Sequence, residues 1–459
     1  MRKALLIVLL ASCGSRLPAP PPQVAPAAVT SPPAKEPVSA EPALPAGIPD
    51  TQAGHKLAWV MRAIEADGKV DKTAIEATFA PSFLAHVPAD QLTKVMAQLH
   101  GLQLVEARSD PTGTKLLGHA TLGDRKLRVE LALDENSQIV SLLFAPDLGE
   151  KPASWEAVEA ALRASAPHVQ LLVAELADGR CKPRHAIEPK LELAIGSTTK
   201  LYVLLAVADR IAAGKLSWTT PIAIEDAWKS LPSGRTQDEP AGTKLTVREL
   251  ANRMISISDN TATDHLLYTV GRKRVEAALR AAKHAKPGLD IPFLSTRELF
   301  LLKLGSTAEQ VAAYIGSSPA KRRAYLDKTL AGKQPTLEGA DQWTTARHVG
   351  ELEWFASSED LCRVMATLHA RAKTPKLAPL LDVLAINPGI PIDKARWPYV
   401  GFKGGSEPGV INLTWLLRRD DDRWFVVTLT ANSDDGGTLA DDKLVGIAAG
   451  VLELLAKEP

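Results

Sequence analysis

Ser197-Thr198-Thr199-Lys200 is followed by Leu201, Leu204, Leu205, Ala208 and Ile211. That spacing predicts a helix with one buried stripe, stopping near Gly214. Ser197 and Lys200, three positions apart, share a face at its first turn. A serine hydroxyl is a poor nucleophile until a base takes its proton. A buried lysine can be that base, because desolvation and nearby charge lower its pKa. The free N–H groups at a helix start also suit a developing oxyanion. On their own, the four residues describe equally well a helix cap followed by a surface lysine.

Two further elements sharpen the reading. Ser258-Asp259-Asn260 follows a helix opened by the capping box Thr246-Val247-Arg248-Glu249 and precedes a second box, Thr261-Ala262-Thr263-Asp264. The triplet therefore sits in a short break between helices, a place that points polar side chains into a cleft. Lys403-Gly404-Gly405-Ser406 comes directly before an apolar strand, Ile411 to Arg418. Two glycines let a substrate lie close to backbone there, and a hairpin turn is the plain alternative.

The order Ser-x-x-Lys, Ser-Asp-Asn, Lys-x-Gly resembles the serine β-lactamase and penicillin-binding protein superfamily, class A β-lactamases in particular. The runs Thr246 to Leu250, Ile255 to Ala262 and Gly401 to Gly409 resemble its two-domain cephalosporin-esterase-like lipoproteins. That resemblance implies an α+β chain: a small steroid-isomerase-like or cystatin-like domain, then a β-lactamase-like domain with an antiparallel sheet flanked by helices. It implies that Ser197 attacks a carbonyl and Lys200 takes its proton. Ser258 relays a proton to the leaving group, and Asn260 contacts the substrate amide. Lys403 adds positive charge near Ser258 and a substrate carboxylate. Gly404, Gly405 and Ser406 line the substrate strand, and the N–H groups of Ser197 and Ser406 form the oxyanion hole. No cofactor or metal is implied. The expected partner is a small β-lactam-like or ester substrate, or a cell-wall peptide if the enzyme is a D-Ala-D-Ala peptidase. An anchored binding protein without turnover is the non-enzymatic alternative.

Two departures from the class stand out. Its deacylating glutamate lies on a loop expected around residues 275 to 294, yet Ala281 to Gly288 contains no carboxylate. The nearest acids are Glu276, Asp290 and Glu298, and Glu298 fits a capping box, Ser295 to Glu298. The expectation is acylation with slow deacylation. Gly404 also stands where the class has a hydroxyl residue, which Ser406 can replace. The extra length around 299 to 375 reads as an insertion near the cleft, with Lys321-Arg322-Arg323 on a solvated helix face.

The remaining chain sets the context. A length of 459 residues argues for two domains, and 45% hydrophobic with 23% charged residues supports ordinary cores. A net charge of +1 gives no case for binding nucleic acid. Arg2 and Lys3, the apolar run Ala4 to Ala11 and then Cys13 resemble a bacterial lipoprotein leader, so residues 1–13 are expected to carry a lipidated Cys13. Residues 14–50 are a linker, with eleven prolines between Pro18 and Pro49. Residues 51–148 are expected to form the small domain, with helices at His55 to Ala66 and Gln91 to Leu99 and three strands after Leu116. His86, His100 and His119 stand apart. Residues 150–459 form the second domain, with a strand at each end and a last helix at about 439 to 456. Cys181 and Cys362 are compatible with one disulfide outside the cytosol, but the reading taken is two buried free thiols.

The whole therefore reads as an exported protein, anchored by lipid in the bacterial cell envelope. Cys13→Ser is expected to release the processed protein from the membrane fraction, because the acyl chains are its hydrophobic anchor. Sedimentation of that variant with membranes after signal cleavage would show another anchor.

Overall fold

The computed structural model describes residues 44–123, 125–333 and 343–459. The leader, Cys13 and the proline-rich segment up to residue 43 lie outside the described residues. The chain divides between Asp147 and Leu148 into two compact units. Among the described residues, no helix is long and apolar enough to cross a membrane.

In the first unit four helices precede four strands. They are α1 (Gln52–Glu65), α2 (Lys72–Thr78), α3 (Pro81–Leu84) and α4 (Ala89–Gln98), then β1 (Gln103–Ser109), β2 (Lys115–Leu122), β3 (Arg125–Leu133) and β4 (Ile139–Pro146). The strands form an antiparallel meander in chain order. Thr51 caps α1 by accepting the Gly54 N–H at 3.1 Å. Leu57, Val60 and Ile64 of α1 share a core with Phe79, Phe83, Val129 and Leu142. The three histidines have separate local partners: the Ser82 carbonyl for His86, Asp67 for His100 and Asp147 for His119.

The second unit opens with α5 (Trp155–Arg163), β5 (His168–Ala177), β6 (Arg180–Ile187) and β7 (Leu193–Ala194). A 3-10 turn, Gly196–Thr199, then runs into α6 (Lys200–Ala212). The middle holds β8 (Pro221–Ala223), β9 (Lys244–Thr246), α7 (Val247–Ser256), α8 (Asn260–Val270), α9 (Arg272–Ala281), α10 (Thr296–Gly305), α11 (Ala308–Ile315) and α12 (Pro319–Tyr325). The last part holds β10 (Phe355–Ala356), α13 (Ser358–Ala372), α14 (Pro379–Ala385), β11 (Tyr399–Glu407), β12 (Val410–Arg418), β13 (Trp424–Asn432) and α15 (Asp441–Lys457).

Five strands form one antiparallel sheet in the order β11-β12-β13-β5-β6. Strands from both ends of the unit thus complete it. Leu172 and Ala174 of β5 pack with the helical layer built on α6, while Leu171 and Val173 pack with α5 and α15. Both faces are covered, which is why the central strands read as continuous apolar runs rather than alternating ones.

Three expectations need correction. Cys181 on β6 and Cys362 on α13 are joined in a disulfide, with Cα atoms 6.3 Å apart, and are not free thiols. The contact comes from α13 lying against β6, a neighbourhood that spacing along the chain does not reveal. Lys403 to Ser406 is not merely the approach to a strand but lies inside one, β11, paired residue by residue with β12. Thr261 to Asp264 is not a capping box. Asp259 caps α8 instead, its carboxylate accepting the Ala262 N–H at 2.8 Å.

A crosslink over a long loop mainly restricts the unfolded chain. Cys181→Ala is expected to lower the unfolding free energy by about 2–5 kcal/mol, read by urea denaturation. Equal stability of the variant and the oxidised parent would contradict such a role.

Candidate active site

The α6 sequence is buried on nearly every side, so this helix runs through the interior of its layer rather than over the surface. Its first residue, Lys200, is fully buried. The turn before it starts at Gly196, whose φ of +49° few side chains tolerate. Ser197 is half-buried at that turn.

The break between α7 and α8 brings Ser258 to the same place. Ser258 has φ +55°, a conformation that costs on the order of 1–3 kcal/mol outside glycine. Its neighbours hold it there. The Ser258 carbonyl accepts from Lys200 Nζ at 2.6 Å and from Ser233 Oγ at 2.7 Å. Buried Asp259 accepts the N–H groups of Arg235 and Thr236 and the Thr236 hydroxyl, all within 2.9 Å. The Asp of the triplet therefore builds the wall of the site, and the Ser and Asn reach into it.

Lys200 Nζ lies 3.1 Å from Ser197 Oγ, 3.0 Å from Ser258 Oγ and 2.7 Å from Asn260 Oδ1. The Ser258 carbonyl and Asn260 Oδ1 can only accept hydrogen bonds. In the neutral amine they take its two N–H groups and leave the lone pair facing the two serine hydroxyls. Burial lowers the Lys200 pKa to about 7, against the opposing pull of Asp259 and Asp264. Asn260 Nδ2 donates to the Leu231 carbonyl at 3.0 Å, which fixes its amide.

Lys403, also buried, lies 3.1 Å from Ser258 Oγ and donates to the Gly404 carbonyl. Burial, reinforced by the charge of Lys200, holds it well below the ordinary amine range. Ser197, Lys200, Ser258 and Lys403 thus form one continuous hydrogen-bonded chain along which a proton can pass.

β11 supplies the last part. A Cβ on Gly405 would lie 2.1 Å from the Ile195 carbonyl and 2.6 Å from Ser197 N, so only glycine lets the strand touch the nucleophile turn. A Cβ on Gly196 would lie 3.3 Å from Ser406 N. The backbone amides of Ser197 and Ser406 are therefore near neighbours, as an oxyanion pocket needs. Gly404 and Ser406 fall on one face of the strand by alternation, so the exposed Ser406 hydroxyl serves the side where Gly404 has none.

The segment expected to approach the nucleophile does not. In 281 to 288, Ala285 N–H donates to Asp360 at 2.7 Å and His284 Nε2 bonds the Phe355 carbonyl at 2.9 Å. The stretch that abuts Asn260 is the start of α10: Thr296 Oγ1 donates to the Asn260 carbonyl at 3.2 Å. Buried Asp264 holds it, accepting the N–H groups of Thr296 and Arg297 at 2.8 and 2.9 Å. The three acids singled out all have other partners. Glu298 caps Ser295 and pairs doubly with Arg272. Glu276 meets Arg323 and the Phe293 N–H, and Asp290 accepts the Phe355 N–H. In the basic cluster Lys321 is exposed, but Arg322 binds carbonyls ending α11 and Arg323 pairs with Glu276, which corrects the solvated-face reading.

Two other features are separate from this constellation. A cavity of about 770 Å³ opens among Leu191, Glu192, Leu289, Arg322, Glu351 and Phe355, and none of the four linked residues lines it. Glu192, His284 and Asp360 place possible ligand atoms within 4.8 Å of one another. His284 is already spent, since Nδ1 accepts the Lys286 N–H and Nε2 therefore carries the proton given to Phe355. Asp360 is spent as well, on Ser357, Ala285 and Arg363. The group does not fit a metal.

Residues 153–381 match a family model described as the beta-lactamase enzyme family, and residues 48–139 match one described as the ORF 12 gene product N-terminal. A comparison with curated proteins gives no match. Among solved structures, the chain is similar to a β-lactamase from Sphaerobacter thermophilus at 21% identity, with 66% of this chain and 96% of that chain covered and a TM-score of 0.44. A β-lactamase from Chitinophaga pinensis shows 18% identity over 66% and 98% of the two chains, with a TM-score of 0.45. PBP-A, solved as a variant in an acyl-enzyme complex with penicillin G, shows 12% identity over 66% and 96%, with a TM-score of 0.42. Residues 153–381, the greater part of the second unit, belong to the beta-lactamase enzyme family.

Gly405→Ala is expected to force β11 off the nucleophile turn and to abolish covalent labelling. Overpacking of this kind costs about 1–3 kcal/mol, so the variant should stay folded by circular dichroism. Labelling at the parent's rate would mean that the close approach is dispensable.

Proposed function

We propose that this protein is an acyl-transferring serine hydrolase that opens β-lactam-like amides or esters through Ser197, with slow release of the acyl group. The observation that carries the reading is the orientation of Lys200. Two carbonyl-type acceptors lie 2.6 and 2.7 Å from its Nζ and the Ser197 hydroxyl lies 3.1 Å from it, so the neutral amine can spend its N–H groups on the former and receive the Ser197 proton.

The steps follow from the geometry. Ser197 Oγ gives its proton to Lys200 Nζ and bonds to the carbonyl carbon. The carbonyl π pair moves onto oxygen, where the Ser197 and Ser406 N–H groups receive the charge. The oxyanion collapses and the bond to the leaving nitrogen or oxygen breaks. The leaving atom takes the Ser258 hydroxyl proton, and Lys200 returns its proton to Ser258. Water must then attack the ester. The carboxylates near the α10 start are committed elsewhere, so this step lacks a dedicated carboxylate base, and general-base catalysis typically contributes ~10²–10⁴-fold.

The match of residues 48–139 to a family model of their own supports reading the chain as two domains. Cys13 places it, in this reading, at the cell envelope as a lipoprotein.

Mass spectrometry of the protein mixed with a cephalosporin or a short-chain ester is expected to show an adduct on Ser197 within seconds and its loss over much longer times. The adduct should be absent in Ser197→Ala. Its rate of formation should rise between about pH 6 and 8, as the Lys200 amine with its pKa of about 7 loses its proton. A persistent adduct with D-Ala-D-Ala peptides would favour the peptidase. Absence of any adduct and of ester hydrolysis would overturn the reading in favour of a binding protein.

A further inference from the structure

Lys303, on the last turn of α10, has a fully buried side chain. Its ammonium meets buried Glu353 at 2.5 Å and also bonds Glu407. Burial and the charge of Glu353 push the Glu407 carboxyl well above the carboxylate range, and it shares a hydrogen bond with Glu353. Burial opposes the charge on Lys303, but Glu353 and Glu407 outweigh it and hold its pKa above that of an ordinary amine. One buried ammonium is thus held by two carboxyl groups, with Glu407 pushed toward its neutral form. The Trp343 ring lies 5.7 Å from the ammonium, and Arg347 donates to the Lys303 carbonyl at 3.1 Å.

Such clusters are rarely needed for stability alone, since apolar residues of similar volume often do as well. The position of this one suggests another use. Glu407 directly follows Ser406 on β11. Glu353 directly precedes Trp354, whose carbonyl accepts the Ile195 N–H at 2.9 Å. Phe355 and Ala356 then pair with Ala194 and Leu193, just before the turn that carries Ser197. One buried ammonium thus ties together the two segments that deliver the two oxyanion amides.

We propose that Lys303, Glu353 and Glu407 form a positioning unit that sets the spacing of the Ser197 and Ser406 N–H groups; the inference rests on the acyl-transfer reading given above. These residues do not touch substrate. They act through β11 and through the Trp354–Ile195 link.

The test uses the full-length protein with Glu407→Leu, Glu407→Gln and the double variant Lys303→Met/Glu353→Gln. Leucine at position 407 leaves the Lys303–Glu353 pair in place and severs only the tie to β11. Glutamine keeps both hydrogen bonds. The acylation rate and its half-saturating concentration for a short-chain ester are read in single turnovers, with the affinity for phenylboronic acid, whose tetrahedral adduct with Ser197 places an oxygen in the pocket. Ill-set oxyanion donors cost up to about 10²-fold. Glu407→Leu and the double variant are therefore expected to acylate at least tenfold slower and to bind the boronic acid at least tenfold weaker. The ester concentration that half-saturates acylation, which reports binding before the bond forms, should change less than about threefold, and Glu407→Gln should restore the parent's values. If Glu407→Leu does not fold, the double variant, which removes both charges together, carries the comparison. Acylation and boronic acid binding at parental levels in the folded variants overturn the inference while the acyl-transfer reading stands. Failure of the parent itself to form a Ser197 adduct overturns that reading instead.

Discussion

An ammonium group prefers water, and the chemistry proposed for this site depends on denying water to Lys200. The fold achieves this by placing Lys200 at the head of a helix buried on nearly all sides. Little can be exchanged around it without altering its proton affinity. Asp259 and Asp264 offset part of the desolvation, and both do so while serving as structural anchors of neighbouring segments. The electrostatic setting of the base and the packing of its walls are thus carried by the same side chains.

The second constraint is closeness. The nucleophile turn and β11 approach so tightly that a single methyl group at Gly405 would overlap backbone atoms. Close approach without side chains leaves little to hold the two segments in register at the point of contact. The holding is done at a distance, by the Asn432 side chain bridging both backbone groups of Ala194 and by the charged cluster at the end of β11. Oxyanion donors that are backbone amides have no side chain of their own to adjust, so their spacing has to be tuned from behind.

What the sequence disclosed is mostly what is local. Ser197 and Lys200 are one helical turn apart, and Ser258 and Asn260 sit where one helix ends and the next begins, so side-chain type and spacing sufficed even though the cap of the second helix was misplaced. Lys403 was found through its glycines, though their strand was taken for its approach. The missed elements are of another kind. β6 is polar, carries Pro183 and lies at a sheet edge, so it lacks the alternation that marks a strand. The disulfide and the Lys303 cluster join residues far apart in the chain, and no spacing rule reaches them. The loop assignment failed because it depends on which segment Asp264 holds, a choice made by packing rather than by residue type.

The sheet has two edges, and the chain treats them differently. At β6 a proline, charged side chains and a disulfide make the border unattractive to another strand. At β11 the border is glycine-rich and is met by the Ser197 turn instead of by another strand, with Ser406 left exposed. A ligand amide that meets the Ser406 N–H there docks much as an added strand would, through main-chain groups that are the same for every sequence. Recognition at this border is generic. Discrimination between acyl groups then falls to the surrounding walls, and an edge that is useful to a substrate is also one that a misfolded neighbour could exploit.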